Sequence, residues 1–319
     1  MSLPKLLTII LPVTVFLTLA ILAPTASANH SWGSYHWART SNPFTLKLGD
    51  NLSSTWDPYL ATTSGDWTAS SVLDTTIVVG STTARRCRPT SGRIEVCNAT
   101  YGGNGWLGLA QIWVSSSHIT QGVTKVNDTY FNTSKYNTPA WRNLVLCQEV
   151  GHIFGLDHQD EDFSNPNLGT CMDYTSDPTT NQHPNLHDYQ QLETIYAHLD
   201  SFTTVQSGTQ KLPLGKSVAG EVLNSDFENR SDWGKELRNN GHVALYERDF
   251  GGGHKVFTFV IWSQEWSKKG YSLIVATEIP QPYITKYRCP FHPEIVSTEE
   301  KRCYKCGMKL EPFKSQPKS

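Results

Sequence analysis

Two groups of residues in this 319-residue chain have the types and spacing of metal ligands. The first lies in CQEVGHIFGLDH, residues 147–158. On a helix, Gln148 and His152 stand one turn apart on the same face, with Glu149 projecting beside them. Gly155 can take a positive φ, end the helix and turn the chain, so that His158 comes back toward the same point. Two imidazoles converging with a carboxylate suit a catalytic metal site, which has three protein ligands and an open position for water. Glu149 is then the general base. Gln148 is neutral, as a ligating imidazole is, and its amide oxygen has about the same reach. It is a weaker donor for zinc, and it leaves the metal a stronger Lewis acid. Three arrangements stay open: Gln148 ligates zinc, His183 or His187 replaces it, or the site keeps only the fold.

The second group is Cys289-x-x-His292 followed by Cys303-x-x-Cys306. Four soft or borderline ligands in two close pairs fit a tetrahedral zinc site. Pro290, Pro293 and Gly307 shape the two knuckles. The segment resembles the small heavy-metal-binding domain of bacterial metal-efflux proteins, which carries a CPMHP…CPKCGM pattern. Phe291 stands where that family often has Met, while Met308 is retained. The module reads as a structural staple, or as a device that senses or supplies metal.

Glu149, His152, Gly155 and His158 resemble the HExxHxxGxxH signature of the metzincin zinc peptidases, with Gln148 in place of the first histidine. That resemblance covers roughly residues 40–200. It makes Met172, in NLGTCMDY, the methionine of a turn beneath the metal, and places Tyr174 just after it. It implies that GWLGLA, residues 105–110, is an edge strand on which an extended peptide is held, with Leu107, Gly108 and Ala110 as substrate-binding residues. The fold it implies is α+β. A metzincin-like, matrixin-like catalytic domain with a twisted, mostly antiparallel-edged sheet, ligand helix, Met-turn and C-terminal helix comes first. A small β segment and a zinc-knuckle module follow. Matrixins often keep a pro-segment thiol that blocks the zinc, and no cysteine lies between Asn29 and the first strand.

The elements that must position these residues are readable in outline. Strands are predicted at 44–48, 72–80, 93–97, 106–114 and 123–131, from β-branched and aromatic alternation between turn residues. A helix is predicted within 54–67, with Ser54 as its cap and Pro58 in its first turn. The ligand helix starts at Thr138-Pro139, with Thr as N-cap and Pro at the first helical position. Residues 187–199 have helical spacing at Tyr189, Leu192, Ile195, Tyr196 and Leu199. The stretch 201–221 is Ser/Thr/Gly-rich and reads as a linker. Beyond it, 222–285 is a β-rich segment in which HVALYERD and HKVFTFVIW flank Phe250-Gly251-Gly252-Gly253 as a hairpin. The metal-binding module occupies 286–313.

Residues 1–28 read as a secretory signal peptide: Lys5, an apolar run over 6–22, and small residues ending at Ala28. A secreted chain retains disulfides. With three cysteines in the C-terminal module, Cys87, Cys97, Cys147 and Cys171 remain. Cys87–Cys97 with Cys147–Cys171 is the simplest of three possible pairings. The formal charge of −2 argues against a nucleic-acid binder that works by charge. The acidic run Asp157, Asp160, Glu161 and Asp162 reads as a solvated loop rather than a calcium site, since it lacks the ligand spacing of a known calcium loop. The expected function is a secreted zinc-dependent endopeptidase, a monomer that acts on peptide or protein substrates without a membrane anchor and holds a second ion in its C-terminal module. The competing classes are an extracellular peptide-binding protein on the same scaffold and a metal-handling protein.

Overall fold

Runs of β-branched and aromatic residues build one mixed sheet of nine strands. The computed structural model describes residues 30–206, 227, 229–266, 285–288, 296–297, 302, 305 and 309–314. The strands are β1 (His36–Trp37), β2 (Phe44–Asn51), β3 (Leu73–Val79), β4 (Ile94–Ala99), β5 (Trp106–Ser115), β6 (His118–Asn127), β7 (Lys235–Asn239), β8 (Val243–Asp249) and β9 (His254–Trp262). Their order across the sheet is β3-β2-β4-β6-β5-β9-β8-β7, with β1 added beside β6. β3, β2, β4 and β6 are parallel neighbours. From β6 onward every step, through β5, β9, β8 and β7, is antiparallel. The fold is therefore mixed α/β with a mostly sheet core, compatible with the expected α+β class, and half of the strand pairings in its sheet are parallel. β10 (Thr285–Arg288), β11 (Val296–Ser297) and β12 (Glu311–Lys314) form a separate three-stranded antiparallel sheet in the order β11-β10-β12.

Among the described residues four α-helices join these strands: α1 (Asp57–Thr68), α2 (Asp128–Phe131), α3 (Pro139–Ile153) and α4 (Leu186–Ile195). α3 starts as its sequence dictates, with the Thr138 side chain accepting from the Trp141 N–H. Nearly all of α3 is buried, which fits a helix sandwiched by sheet and neighbouring helices rather than an amphipathic surface helix. α1 departs from expectation: Trp56, not Ser54, is its N-cap, and no side-chain cap forms. The strand predicted over 123–131 stops at Asn127, whose side chain accepts from Thr129 N–H and starts α2. α4 opens with an Asn185/Asp188 capping box and ends at Ile195, short of Leu199.

Apolar side chains cover both faces of the sheet. One core joins α3 (Leu144, Val145, Val150, Ile153) to Trp37, Trp67, Leu107, Ala110 and Phe259. The other gathers Trp106, Leu109, Trp113, Trp233, Val260 and Trp262. Both disulfides, Cys87–Cys97 and Cys147–Cys171, are formed.

Two organisational expectations change. Residues 201–206 are docked rather than free: Thr204 N–H donates to Ala38 O and Gln206 N–H to Gly92 O. The segment that follows them is not a β unit of its own. β7, β8 and β9 extend the main sheet outward from β5, because β5 still offers an unfilled hydrogen-bonding edge on that side. The signal peptide (1–28) and the remainder of the predicted linker (207–221) lie outside the described residues.

Candidate active site

α3 places Gln148, Glu149 and His152 at its C-terminal end, all about 1% exposed. Gly155 takes φ +101° directly after the helix, and a Cβ there would come within 2.7 Å of Tyr35 O. Glycine is thus required twice over, for the left-handed backbone and for the contact. The turn brings the His158 ring to 4.5 Å from that of His152, at 77°. The sequence reading of the turn therefore holds at the level of geometry.

Both imidazoles have one nitrogen committed. His152 Nδ1 is 2.9 Å from Leu156 O, so it carries the proton and Nε2 keeps its lone pair. His158 Nδ1 lies 3.3 Å from Asp157 Oδ1. A carbonyl or carboxylate behind the ring is the arrangement that orients metal-ligating histidines. Neither amide atom of Gln148, nor Glu149 Oε2, nor Tyr174 Oη has a hydrogen-bond partner among the described residues, although all are buried. An unpaired buried polar group costs about 1–3 kcal/mol, so three such groups beside two oriented imidazoles form a cluster whose chemistry suits a cation. The two imidazoles, Gln148, Glu149 and Tyr174 thus share one buried polar neighbourhood at the end of α3.

Burial sets the charge states. It pushes the Glu149 carboxyl well above the usual range, against a backbone hydrogen bond from Ala110. Burial, and then the neighbouring His158, push His152 well below its ordinary value. Burial also lowers His158, against the pull of Asp157. Burial thus favours the neutral form of each group, and a bound cation would favour ionised Glu149.

Met172 is fully buried beneath α3, where its Sδ lies 2.6 Å from the position a Cβ on Gly151 would take. Cys171, next to it, is bonded to Cys147, next to Gln148. Tyr174 stacks on the His158 ring at 4.2 Å. His183 and His187 are engaged elsewhere: His183 Nδ1 is 2.8 Å from Asp66 Oδ2, and His187 stacks on His30.

Two further residues close this site, and the sequence reading missed both. Phe259 of β9 stacks on the face of His152 at 4.1 Å and 14°. Arg238 of β7 clamps Asp157 through both guanidinium nitrogens and meets Glu161 Oε1 at 3.0 Å. Its Nη2 is 3.5 Å from His158 Nδ1. The acidic run is therefore not a wholly solvated loop. Burial opposes ionisation of Asp157, yet hydrogen bonds from His158 and Arg238 hold it far below the carboxylate range.

The expected substrate strand also needs correction. Leu107, Gly108 and Ala110 do not line an open edge, because β9 pairs with β5 from Trp106↔Trp262 to Ser115↔His254. Gly108 instead seats α3: a Cβ there would fall 2.5 Å from Val145 Cγ1 and 3.1 Å from Glu149 Cγ. A signal for the covered edge was present. WLGLAQIWV is an almost unbroken apolar run, the pattern of a strand buried on both faces, and every residue of it is buried. Arg238 and Phe259 carried no motif, so only the pairing of β9 could have revealed them.

The predicted C-terminal ligands Cys289, His292, Cys303 and Cys306 lie outside the described residues. Residues 286–312 match the heavy metal binding domain family. A 41-residue stretch is 51% identical to a copper-transporting P-type ATPase of Rhizobium leguminosarum bv. viciae, covering 13% of this chain and 5% of that protein. The chain thus spans only a small part of that ATPase's length. Among the described residues no helix is long and apolar enough to cross a membrane.

Proposed function

We propose that the chain is a secreted, matrixin-like zinc endopeptidase held closed by its own β7–β9 strands. The observation that carries this is the coincidence of two features on β5. On one side, α3 presents the unpartnered Gln148 amide and Glu149 Oε2 beside His152, whose Nδ1 is held by Leu156 O and whose Nε2 keeps its lone pair. On the other, β9 fills the strand position that an extended peptide would take, and lays Phe259 over His152. The order of strands, ligand helix, buried Met172 and closing helix supports the metzincin reading, and two disulfides suit an exported chain.

Gln148, His152 and His158 would hold the ion, which when bound supplies an acidified water and polarises the scissile carbonyl. Glu149 accepts the proton of the attacking water at Oε2 and returns it to the leaving amine. The Cys147–Cys171 bridge stiffens the helix end that carries the weakest ligand. Phe259 and Arg238 exclude water and substrate until β7–β9 is displaced.

In the full chain, zinc-loaded Phe259→Ala combined with Arg238→Ala should cleave an unstructured protein faster than wild type. Adding Glu149→Gln should remove that activity. Cleavage that persists with Glu149→Gln, or an opened, zinc-loaded protein that cleaves nothing, contradicts the proposal.

The C-terminal match favours a second role beside the first: the 286–312 module binds a soft metal ion, zinc or copper, through Cys289, His292, Cys303 and Cys306. Loss of one bound ion when Cys303 and Cys306 are replaced by Ser tests it.

A further inference from the structure

Outside the Gln148–His158 site, three imidazoles meet one carboxylate. His36 comes from β1, His118 from the start of β6, and His198 and Asp200 from the chain beyond α4. The parallel pairing His36↔His118 and the hydrogen bond from His36 N–H to Ser117 O fix the first two side by side. The third segment is tied on by Asp200 N–H donating to Arg39 O.

Ligand atoms face inward. His36 Nδ1 is 2.8 Å from Ser34 O, a carbonyl, so this nitrogen bears the proton and Nε2 is a bare lone pair. That Nε2 lies 3.5 Å from Asp200 Oδ1 and 3.1 Å from His198 Nε2. His198 Nε2 is 3.9 Å from the same carboxylate oxygen. The other oxygen, Oδ2, is taken by Arg39, at 3.0 Å from Nη1 and 3.2 Å from the backbone N. Arg39 thereby turns Oδ1 toward the histidines. His118 Nε2 reaches Oδ1 at 3.3 Å.

We propose that His36 Nε2, His198 Nε2 and Asp200 Oδ1 form a zinc site. Two neutral imidazoles and a carboxylate match the preference of zinc for nitrogen and oxygen donors. With bonds of about 2.0–2.2 Å, tetrahedral ligands stand about 3.3–3.6 Å apart, and the three separations here are 3.1, 3.5 and 3.9 Å. Ser34 O, Arg39 and His118 are the outer partners that orient those ligands. His36 and Asp200 are nearly buried, whereas the His198 side chain is 54% exposed, so the fourth position opens to solvent. The ion would pin β1 and the tail after α4 to the β5–β6 turn, closing the two ends of the α3-bearing unit on each other. The site shares no residue with the α3 centre or the C-terminal module.

The test is zinc binding by the full chain, read as bound ions per chain after dialysis and as the zinc-induced rise in melting temperature. His198→Ala is chosen because its half-exposed ring can be lost without opening the core. It should bind one ion fewer than wild type, and in chelator it should melt as wild type does. His118→Ala should weaken the same ion by roughly 10–100-fold, as loss of an orienting partner does. If His198→Ala binds as many ions, as tightly, as wild type, the cluster is a hydrogen-bonded histidine network and the proposal fails. If His198→Ala does not fold, the readout is cobalt(II) substitution of the full chain with Cys289, Cys303 and Cys306 changed to Ser and Gln148 to Met, compared with the same protein that also carries His198→Asn. A nitrogen- and oxygen-ligated cobalt spectrum that is lost with His198→Asn supports the site, and a spectrum unchanged by it, or no such spectrum, overturns it.

Discussion

Gln148→Met separates a metal ligand from an ordinary buried amide. Methionine has nearly the shape and flexibility of glutamine but no strong hydrogen-bonding group. Gln148 is 1% exposed, and neither its Oε1 nor its Nε2 is partnered among the described residues. Without metal that amide costs about 1–3 kcal/mol of stability, which an apolar isostere recovers. At about 2–4 °C per kcal/mol for a unit of this size, the variant should melt roughly 2–12 °C above wild type in chelator. Zinc should reverse the order. Zinc at 100 times its dissociation constant stabilises the folded chain by about 2.7 kcal/mol, and the variant forgoes the part that passes through this site. Both proteins should carry His198→Ala, so that the histidine cluster does not contribute. Differential scanning calorimetry with and without zinc gives both numbers. The reasoning is refuted if Gln148→Met melts below its parent in chelator, or if zinc stabilises the two equally.

Gly108→Ala should lower the melting temperature, because the new Cβ would sit 2.5 Å from Val145 Cγ1; overpacking of this kind costs about 1–3 kcal/mol, and thermal melts will show it. The pH dependence of stability should carry the signature of Asp188, whose carboxyl burial pushes up to about 6 from 3.8. Between those values the folded chain binds a proton that the unfolded chain has released, so stability falls as pH rises through this window and the full cost is present above it. Urea midpoints from pH 4 to 7 should therefore decline in wild type relative to Asp188→Asn, and parallel profiles would contradict the assignment. Replacing Cys303 and Cys306 by Ser should remove one soft metal ion per chain and leave the melting of the main sheet unchanged, as metal analysis and calorimetry will report.

What could be read from the sequence was what local chemistry determines. Thr138-Pro139 fixes where α3 begins, and Gly155 fixes where it ends and how His158 returns, so the constellation was legible from spacing alone. The turn at Phe250–Gly253 announced the β8–β9 hairpin for the same reason, with φ positive at all three glycines. The partner of that hairpin was not legible. Strand pairing between β5 and β9 joins residues some 150 positions apart, and no local pattern names the neighbour of a strand. The unbroken apolar run of β5 did record that the strand is covered, but not by what. Arg238 and Phe259 became part of the site only through that pairing. The histidine cluster escaped for a related reason, since its members come from three segments and become neighbours only in the sheet.

The account rests on a metal centre at the end of α3. The most direct measurement is the anomalous difference density at the zinc edge from crystals of the zinc-loaded full chain. The prediction is a peak bounded by Gln148 Oε1, His152 Nε2 and His158 Nε2, at about 2.0–2.2 Å from each. Zinc density confined to the His36–His198–Asp200 cluster or the C-terminal module, with none between Gln148 and the two histidines of the α3 turn, would contradict it.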